Sequence, residues 1–254
     1  MIKLICLGTG GWIPTDRRET SCYLVQTNKT LILLDSGTGI RRLNQYKEIL
    51  SRFTELHVLL THYHLDHIAG IPYLPNWVGE KKIIFYGPGF PLYDISCEKI
   101  LCRYTQHPYF SLPISNFSSR TQFIDVSLRK FTIGDVEIRP VIQRHSAVSL
   151  GYTFDNAFHF ATDTDLIDAT FEAAADSKYL IHECWSIDAE KADHHGEHTG
   201  ARQLAERLLQ HNDISLSLIH INPNWRVSDE LEALREFHGS SSVQILEDGD
   251  QLTF

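Results

Sequence analysis

The chain has 254 residues, ample for a buried core, and a hydrophobic fraction of 43% with 22% charged residues excludes a disordered, collagenous or coiled-coil chain. Twenty-three Lys and Arg against 32 Asp and Glu give a formal charge of −9, which argues against a generally basic nucleic-acid or anionic-membrane surface. No run of about 18 apolar residues occurs, so no membrane partner is expected. Residues 1–11 read as a strand entering a glycine turn rather than as a leader, and the cytoplasm is the expected location.

In chain order, short β-branched or apolar runs predict strands at 3–7, 22–26, 31–35, 56–61, 82–86 and 122–125, then at 136–141, 150–154, 158–162, 179–182, 216–219 and 243–246. Helical spacing fits 40–50, 94–104, 166–175, 200–209 and 229–237. Hairpin-like strand pairs early and helices inserted later suggest a mixed α/β chain in which two sheets pack face to face with helices outside. No repeat or long linker divides it, so residues 1–254 are expected to form one domain. The glycine turns at 8–11 and 36–39 complete no dinucleotide fingerprint and read as tight turns. The five cysteines (Cys6, Cys22, Cys97, Cys102, Cys184) are odd in number and scattered, as expected of reduced packing residues.

Histidine is the outlier, with 14 residues, and the run Thr61-His62-Tyr63-His64-Leu65-Asp66-His67 sets four potential metal ligands in six positions behind an apolar strand. On extended backbone His62 and His64 share one side and converge on one ion, while Asp66 and His67, where the chain turns, address a second point nearby. Burying three imidazoles and a carboxylate without a cation would cost roughly 1–3 kcal/mol for each unpaired group. Further ligands must come from other strand ends. His145, Asp163 and His220 each stand at or just beyond the C-terminal end of a predicted strand. A carboxylate can bridge two cations about 3.5–4 Å apart, as imidazole cannot without losing its proton, which makes Asp163 the expected bridge.

With these residues the sequence resembles the metallo-β-lactamase superfamily, and within it the ribonuclease Z-like branch of tRNA 3′ processing endonucleases and their phosphodiesterase relatives. The resemblance is also carried by Leu7-Gly8-Thr9-Gly10, Leu34-Asp35-Ser36-Gly37, Tyr86-Gly87-Pro88, Leu180-Ile181-His182-Glu183, His198-Thr199 and His220-Ile221-Asn222-Pro223. It implies an α/β fold, the four-layered αββα sandwich, with a dinuclear site at one edge of the sheets. It implies one ion on His62, His64, His145 and Asp163, and another on Asp66, His67, Asp163 and His220. Zinc is the expected metal of both sites, and manganese or iron would tolerate the carboxylates. The resemblance further implies that His198 donates a proton to the leaving group, with Glu183 as its orienting partner, and that the protein forms a homodimer. His194 and His195 match no position of the family and are expected to be exposed.

Three features depart from the branch. The arm that clamps tRNA is inserted between the positions of His145 and Asp163, an interval of only 18 residues here (163 − 145), so tRNA is not the expected substrate. Thr162 stands where the family usually has Gly, and Gly200 where an alanine-containing motif is more typical.

The expected reaction is hydrolysis of a small-molecule or nucleotide phosphodiester by a hydroxide that two divalent ions generate near neutral pH. Asp66 would orient the water or take its proton, and His198 would protonate the departing alkoxide. Two alternatives keep the metals: hydrolysis of another ester (lactone, thioester or sulfate ester), and a non-catalytic metal-binding module. Against the second, all seven ligand positions are filled. The aromatic-rich segment 76–119 is a candidate lid, although most of its rings are expected in the core.

Overall fold

The structure is a computed structural model that describes residues 1–118, 120–188, 197–238 and 242–254. Six strands come first: β1 (Lys3–Gly8), β2 (Cys22–Gln26), β3 (Leu31–Leu34), β4 (Glu55–Leu59), β5 (Lys82–Pro88) and β6 (Gln122–Val126). Then come β7 (Phe131–Ile133), β8 (Val136–Gln143), β9 (Ser149–Phe154), β10 (Phe158–Ala161), β11 (Tyr179–Glu183), β12 (Ser215–Ile219) and β13 (Val243–Ile245), and β14 (Gln251–Thr253) returns to the first sheet. The sheets run β14-β1-β2-β3-β4-β5-β6 and β13-β12-β11-β10-β9-β8-β7. Among the described residues both follow one pattern from β14 or β7 onward: three antiparallel pairings, then three parallel ones.

Period-two alternation builds the layers. In β1, Leu4 and Cys6 face the second sheet, where Tyr152, Phe154, Phe158 and Phe160 meet them. Ile5 and Leu7 face the other way, onto a layer formed by α1 (Lys47–Ser51), α2 (Leu65–Ile68), α3 (Pro75–Val78) and α4 (Cys97–Thr105), through Leu50, Ile68, Val78 and Leu101. The outer face of the second sheet is covered by α5 (Asp168–Ala174), α6 (Ala201–Leu208) and α7 (Val227–Arg235), through Phe171, Leu204 and Ala233. Each such Leu or Phe, fully buried, contributes about 1.5–3 kcal/mol. The result is the αββα sandwich of the metallo-β-lactamase fold. The cysteine thiols are unpaired, four of the five are buried, and burial pushes Cys97 up to about 12, which keeps it protonated at neutral pH.

Several elements differ from the sequence expectation. The helix expected at 40–50 is a 3-10 run, Thr38–Tyr46, that passes into the short α1. No side chain caps that run, and it lies against β1, where a Cβ on Gly39 would come within 2.7 Å of the backbone of Leu7 and Gly8. Strands β7 and β14 were not anticipated, because three residues carry no readable alternation and tertiary pairing alone holds them at the sheet edges.

The topology fixes where the polar residues gather. Strands β3 and β4 are parallel, as are β10, β11 and β12, and β1 and β8 share their directions because two antiparallel pairings intervene. The C-terminal ends of these strands within each sheet therefore open on one rim. Among the described residues no helix is long and apolar enough to cross a membrane.

Candidate metal centre

The rim collects the predicted residues. His62 and His64 follow β4, Asp66 and His67 lie in α2, His145 follows β8, Asp163 follows β10, and His220 follows β12 directly. The ligating atoms of His62, His64, His145 and Asp163 all lie within 4.8 Å of one another, and so do those of Asp66, His67, Asp163 and His220. Strain accompanies the convergence: Asp163 (φ 48°), His220 (φ 51°) and Asp35 (φ 54°) all take left-handed backbone, which non-glycine residues avoid unless their surroundings impose it.

The spacings suit divalent ions. Around a tetrahedral zinc with bonds of about 2.0–2.1 Å, neighbouring ligand atoms sit about 3.3 Å apart. In the first set His64 Nδ1 and His145 Nε2 are 3.1 Å apart, and Asp163 Oδ1 lies 3.9 Å from His62 Nε2 and 3.8 Å from His145 Nε2. In the second, Asp163 Oδ2 lies 3.0 Å from His67 Nε2 and 3.3 Å from His220 Nε2, while Asp66 Oδ2 lies 3.4 and 3.2 Å from the same two nitrogens. Asp163 thus turns one oxygen to each set, the geometry of a bridging ligand. The Nε2 atoms of His62 and His67 are buried without a hydrogen-bond partner, and a cation would satisfy both.

Electrostatics agree with that fit. Burial opposes the charged form of His67, yet Asp163, Asp66 and Asp35 around it raise its pKa well above the ordinary value. Burial likewise opposes ionisation of Asp66 and Asp163, but the imidazoles facing them hold both well below the usual carboxylate range. The cluster therefore draws a positive charge to its centre. Burial drives His62 and His145 toward the neutral form that binds metal.

Several residues that sequence reasoning missed complete the site. Asp35, fully buried, accepts from His67 Nδ1 at 2.7 Å and from the Thr61 amide at 2.8 Å, which fixes the tautomer that presents Nε2 inward. Its signal was an Asp closing an all-apolar strand. Thr61 Oγ1 lies 3.0 Å from His62 Nδ1 and anchors that ring as well. Thr162, one of the departures from the family pattern, donates to Asp163 Oδ2 at 2.7 Å. Trp12 lies over the site with its amide donating to Asp66 Oδ2 at 2.7 Å.

His198 stands beside the ligands, its Nδ1 2.8 Å from Glu183 Oε2. Glu183 is fully buried at the end of β11, where burial raises its pKa against the opposing pull of His198, and its other oxygen accepts from the Thr164 amide. Glu183, His198 and His220 also lie close enough to share a cation, but the Glu183 oxygen is already engaged by His198. Trp185 stacks on His198 with centroids 4.7 Å apart and lies 5.5 Å from His220. The expected exposure of His194 and His195 lies outside the described residues. A cavity of about 290 Å³ opens onto the ligands, lined in part by His64, Asp66, His145, Asp163, His198 and His220. None of the described residues of 76–119 lines it, and Phe85, Leu101 and Ile114 lie in the core, so no lid from that segment covers the ligands.

Residues 15–94 match the metallo-β-lactamase superfamily. The chain is 25% identical to the ribonuclease Z of Haloarcula marismortui over 309 aligned positions, which cover 98% of this chain and 95% of that one. It is 29% identical to the ribonuclease Z of Thermococcus kodakarensis, but that match covers 61% of this chain and about half (46%) of the relative. Among solved structures, the metallo-β-lactamase fold protein YhfI of Bacillus subtilis superposes with a TM-score of 0.76 at 21% identity over the full length of both chains. A diphosphatase from the PhnP family superposes at 0.74, with 19% identity, 100% of this chain and 98% of that one covered. At these identities the superpositions speak for the fold.

Proposed function

We propose that this chain, which belongs to the metallo-β-lactamase superfamily and is a metal-dependent hydrolase, cleaves a phosphodiester in a small molecule or nucleotide. One arrangement supports this above the rest: a carboxylate aimed at two ligand sets, with the partly buried His198 on the wall of the same cavity and the buried Glu183 behind it. Two ions on His62, His64, His145, Asp66, His67, His220 and the shared Asp163, proposed to be zinc, would acidify a water and neutralise charge developing on the phosphoryl oxygens.

The chain's own residues do the rest. Asp35, Thr61 and Thr162 hold the ligands in register through the hydrogen bonds described above. The contacts of Asp66 to Trp12, His67 and His220 gather on Oδ2, which leaves Oδ1 to orient the attacking water. Glu183 engages Nδ1 of His198, so proton delivery to the departing alkoxide falls to Nε2. The relatives named ribonuclease Z and the diphosphatase support a phosphorus substrate. A cavity of about 290 Å³ suits one nucleotide or a molecule of similar size better than a folded RNA. Zinc- or manganese-loaded protein should hydrolyse phosphodiesters faster than lactones, thioesters or sulfate esters in a side-by-side panel. Faster lactone opening would refute the proposal, and tRNA cleavage at a comparable rate would refute its substrate class.

A further inference from the structure

We infer that Trp12 is a stacking platform for an aromatic ring, of nucleobase type, on the ester that the centre cleaves; the inference rests on the phosphodiesterase reading and narrows its substrate. Apart from the proposed ligands and His198, the cavity is lined by Trp12, Ser146, Trp185 and Glu197. Among the described lining residues there is no Lys or Arg, and the proposed ions would answer the phosphate's charge. Recognition of the rest of the substrate is left to two indoles, a hydroxyl and a carboxylate.

The indoles differ in commitment. Trp185 packs against His198 and His220, with interplanar angles of 21° and 32°, and walls in the catalytic side. Trp12 keeps 63% of its surface exposed at the cavity. Its backbone is left-handed, φ 63°, a conformation that Gly or Asn would adopt with less strain. The turn is nonetheless pinned on both sides: the Trp12 amide donates to Asp66, and the Gly11 amide donates to the Ile221 carbonyl at 3.1 Å. A Cβ on Gly11 would run into the His220 imidazole, so the turn lies directly against a proposed ligand. A strained turn whose backbone is anchored to Asp66 and Ile221 sets a wide apolar ring at the cavity that opens onto the proposed ligands. Base–aromatic stacking is sequence-tolerant and strong enough to discriminate about 10-fold or more between a nucleotide and its base-free counterpart.

Thymidine 5′-phosphate and 2-deoxyribose 5-phosphate share the sugar and phosphate, with a hydroxyl in place of the base in the second, and test this directly. Calorimetric titration of zinc-loaded protein should show thymidine 5′-phosphate binding at least about 10-fold tighter, with quenching of tryptophan fluorescence that the sugar phosphate does not produce. Trp12→Ala should bring the two affinities within two-fold and remove most of the quench, whereas Trp12→Phe should keep the preference. Equal affinities in the wild-type protein, or an undiminished preference in Trp12→Ala, would overturn the inference. The parent reading is scored separately with methyl 4-nitrophenyl phosphate, which offers no ring on the retained side. Failure to cleave that ester with zinc, manganese or iron, while the thymidine preference persists, would overturn phosphodiester hydrolysis and leave the stacking site standing.

Discussion

Replacing Asp35 by Asn tests whether the buried hydrogen-bond frame, and not the ligands alone, holds the centre together. Asp35 is fully buried at φ 54°, and its carboxylate accepts hydrogen bonds from His67 Nδ1 at 2.7 Å, the Thr61 amide at 2.8 Å and the Thr61 hydroxyl at 2.9 Å. Asparagine has the same shape and tolerates left-handed backbone, so the substitution removes charge and one acceptor without disturbing the chain. Whichever way the amide lies, its NH2 faces either the Thr61 N–H or the His67 Nδ1–H, and one buried donor is left unpaired. That costs about 1–3 kcal/mol. His67 also loses the carboxylate that orients it, a change that typically lowers metal affinity about 10–100-fold. Asp35→Asn should therefore lose about 1–3 kcal/mol in urea unfolding of the chelated protein. Of the two proposed ions, the one assigned to Asp66, His67 and His220 should weaken about 10–100-fold in chelator competition, while the one assigned to His62, His64 and His145 weakens less. If stability drops but both affinities stay within two-fold of wild type, Asp35 is a core residue with no part in positioning His67.

Asp163→Ala should abolish stoichiometric binding of both ions, and His145→Ala should weaken chiefly one, as read by elemental analysis after desalting; loss of only one ion in Asp163→Ala would refute the bridge. His198→Ala should slow a phosphodiester with an alkyl leaving group by about 10²–10⁴ while slowing a 4-nitrophenyl ester far less, and Glu183→Gln should repeat that selectivity more weakly. Equal losses on both esters would remove the acid role. Gly11→Ala should push His220 out of place and lower occupancy of the ion shared with Asp66 and His67, with an unchanged circular dichroism spectrum. Burial holds His159 at about 3 and His182 at about 4, both below the unfolded value near 6.5. Between those limits the unfolded chain binds more protons, so the stability they contribute is complete above about pH 6.5 and lost as the pH falls. Each should cost about 2 kcal/mol between pH 7.5 and pH 5, read as a shallower pH slope of unfolding in His159→Gln than in wild type.

Much of the sandwich was legible because burial on both faces gives the strands continuous apolar runs, as in Leu31–Leu34 and in residues 83–86 of β5. Phe131–Ile133 and Pro75–Val78 were not, since these short stretches carry neither an unbroken apolar run of strand length nor a full helical period. The candidate ligands were visible for a different reason. An imidazole–carboxylate run of the His62–His67 kind is costly to bury without a cation, and extended backbone fixes which side His62 and His64 share.

Residue types and local spacing thus pointed, before any coordinates, to candidate metal ligands at strand ends and to a mixed α/β chain of two packed sheets, and the family resemblance implied the αββα sandwich. Tertiary structure alone decided that Asp163 turns one oxygen to each ligand set, that Asp35 and Thr162 hydrogen-bond the candidate ligands, and that the described residues of segment 76–119 do not line the cavity. Trp12 and Asp66 are 54 positions apart in the chain, and His220 and Asp66 are 154 apart. No periodicity reaches across such intervals. Their meeting depends on parallel strands of two packed sheets ending on one rim, and packing sets that distance to within an ångström.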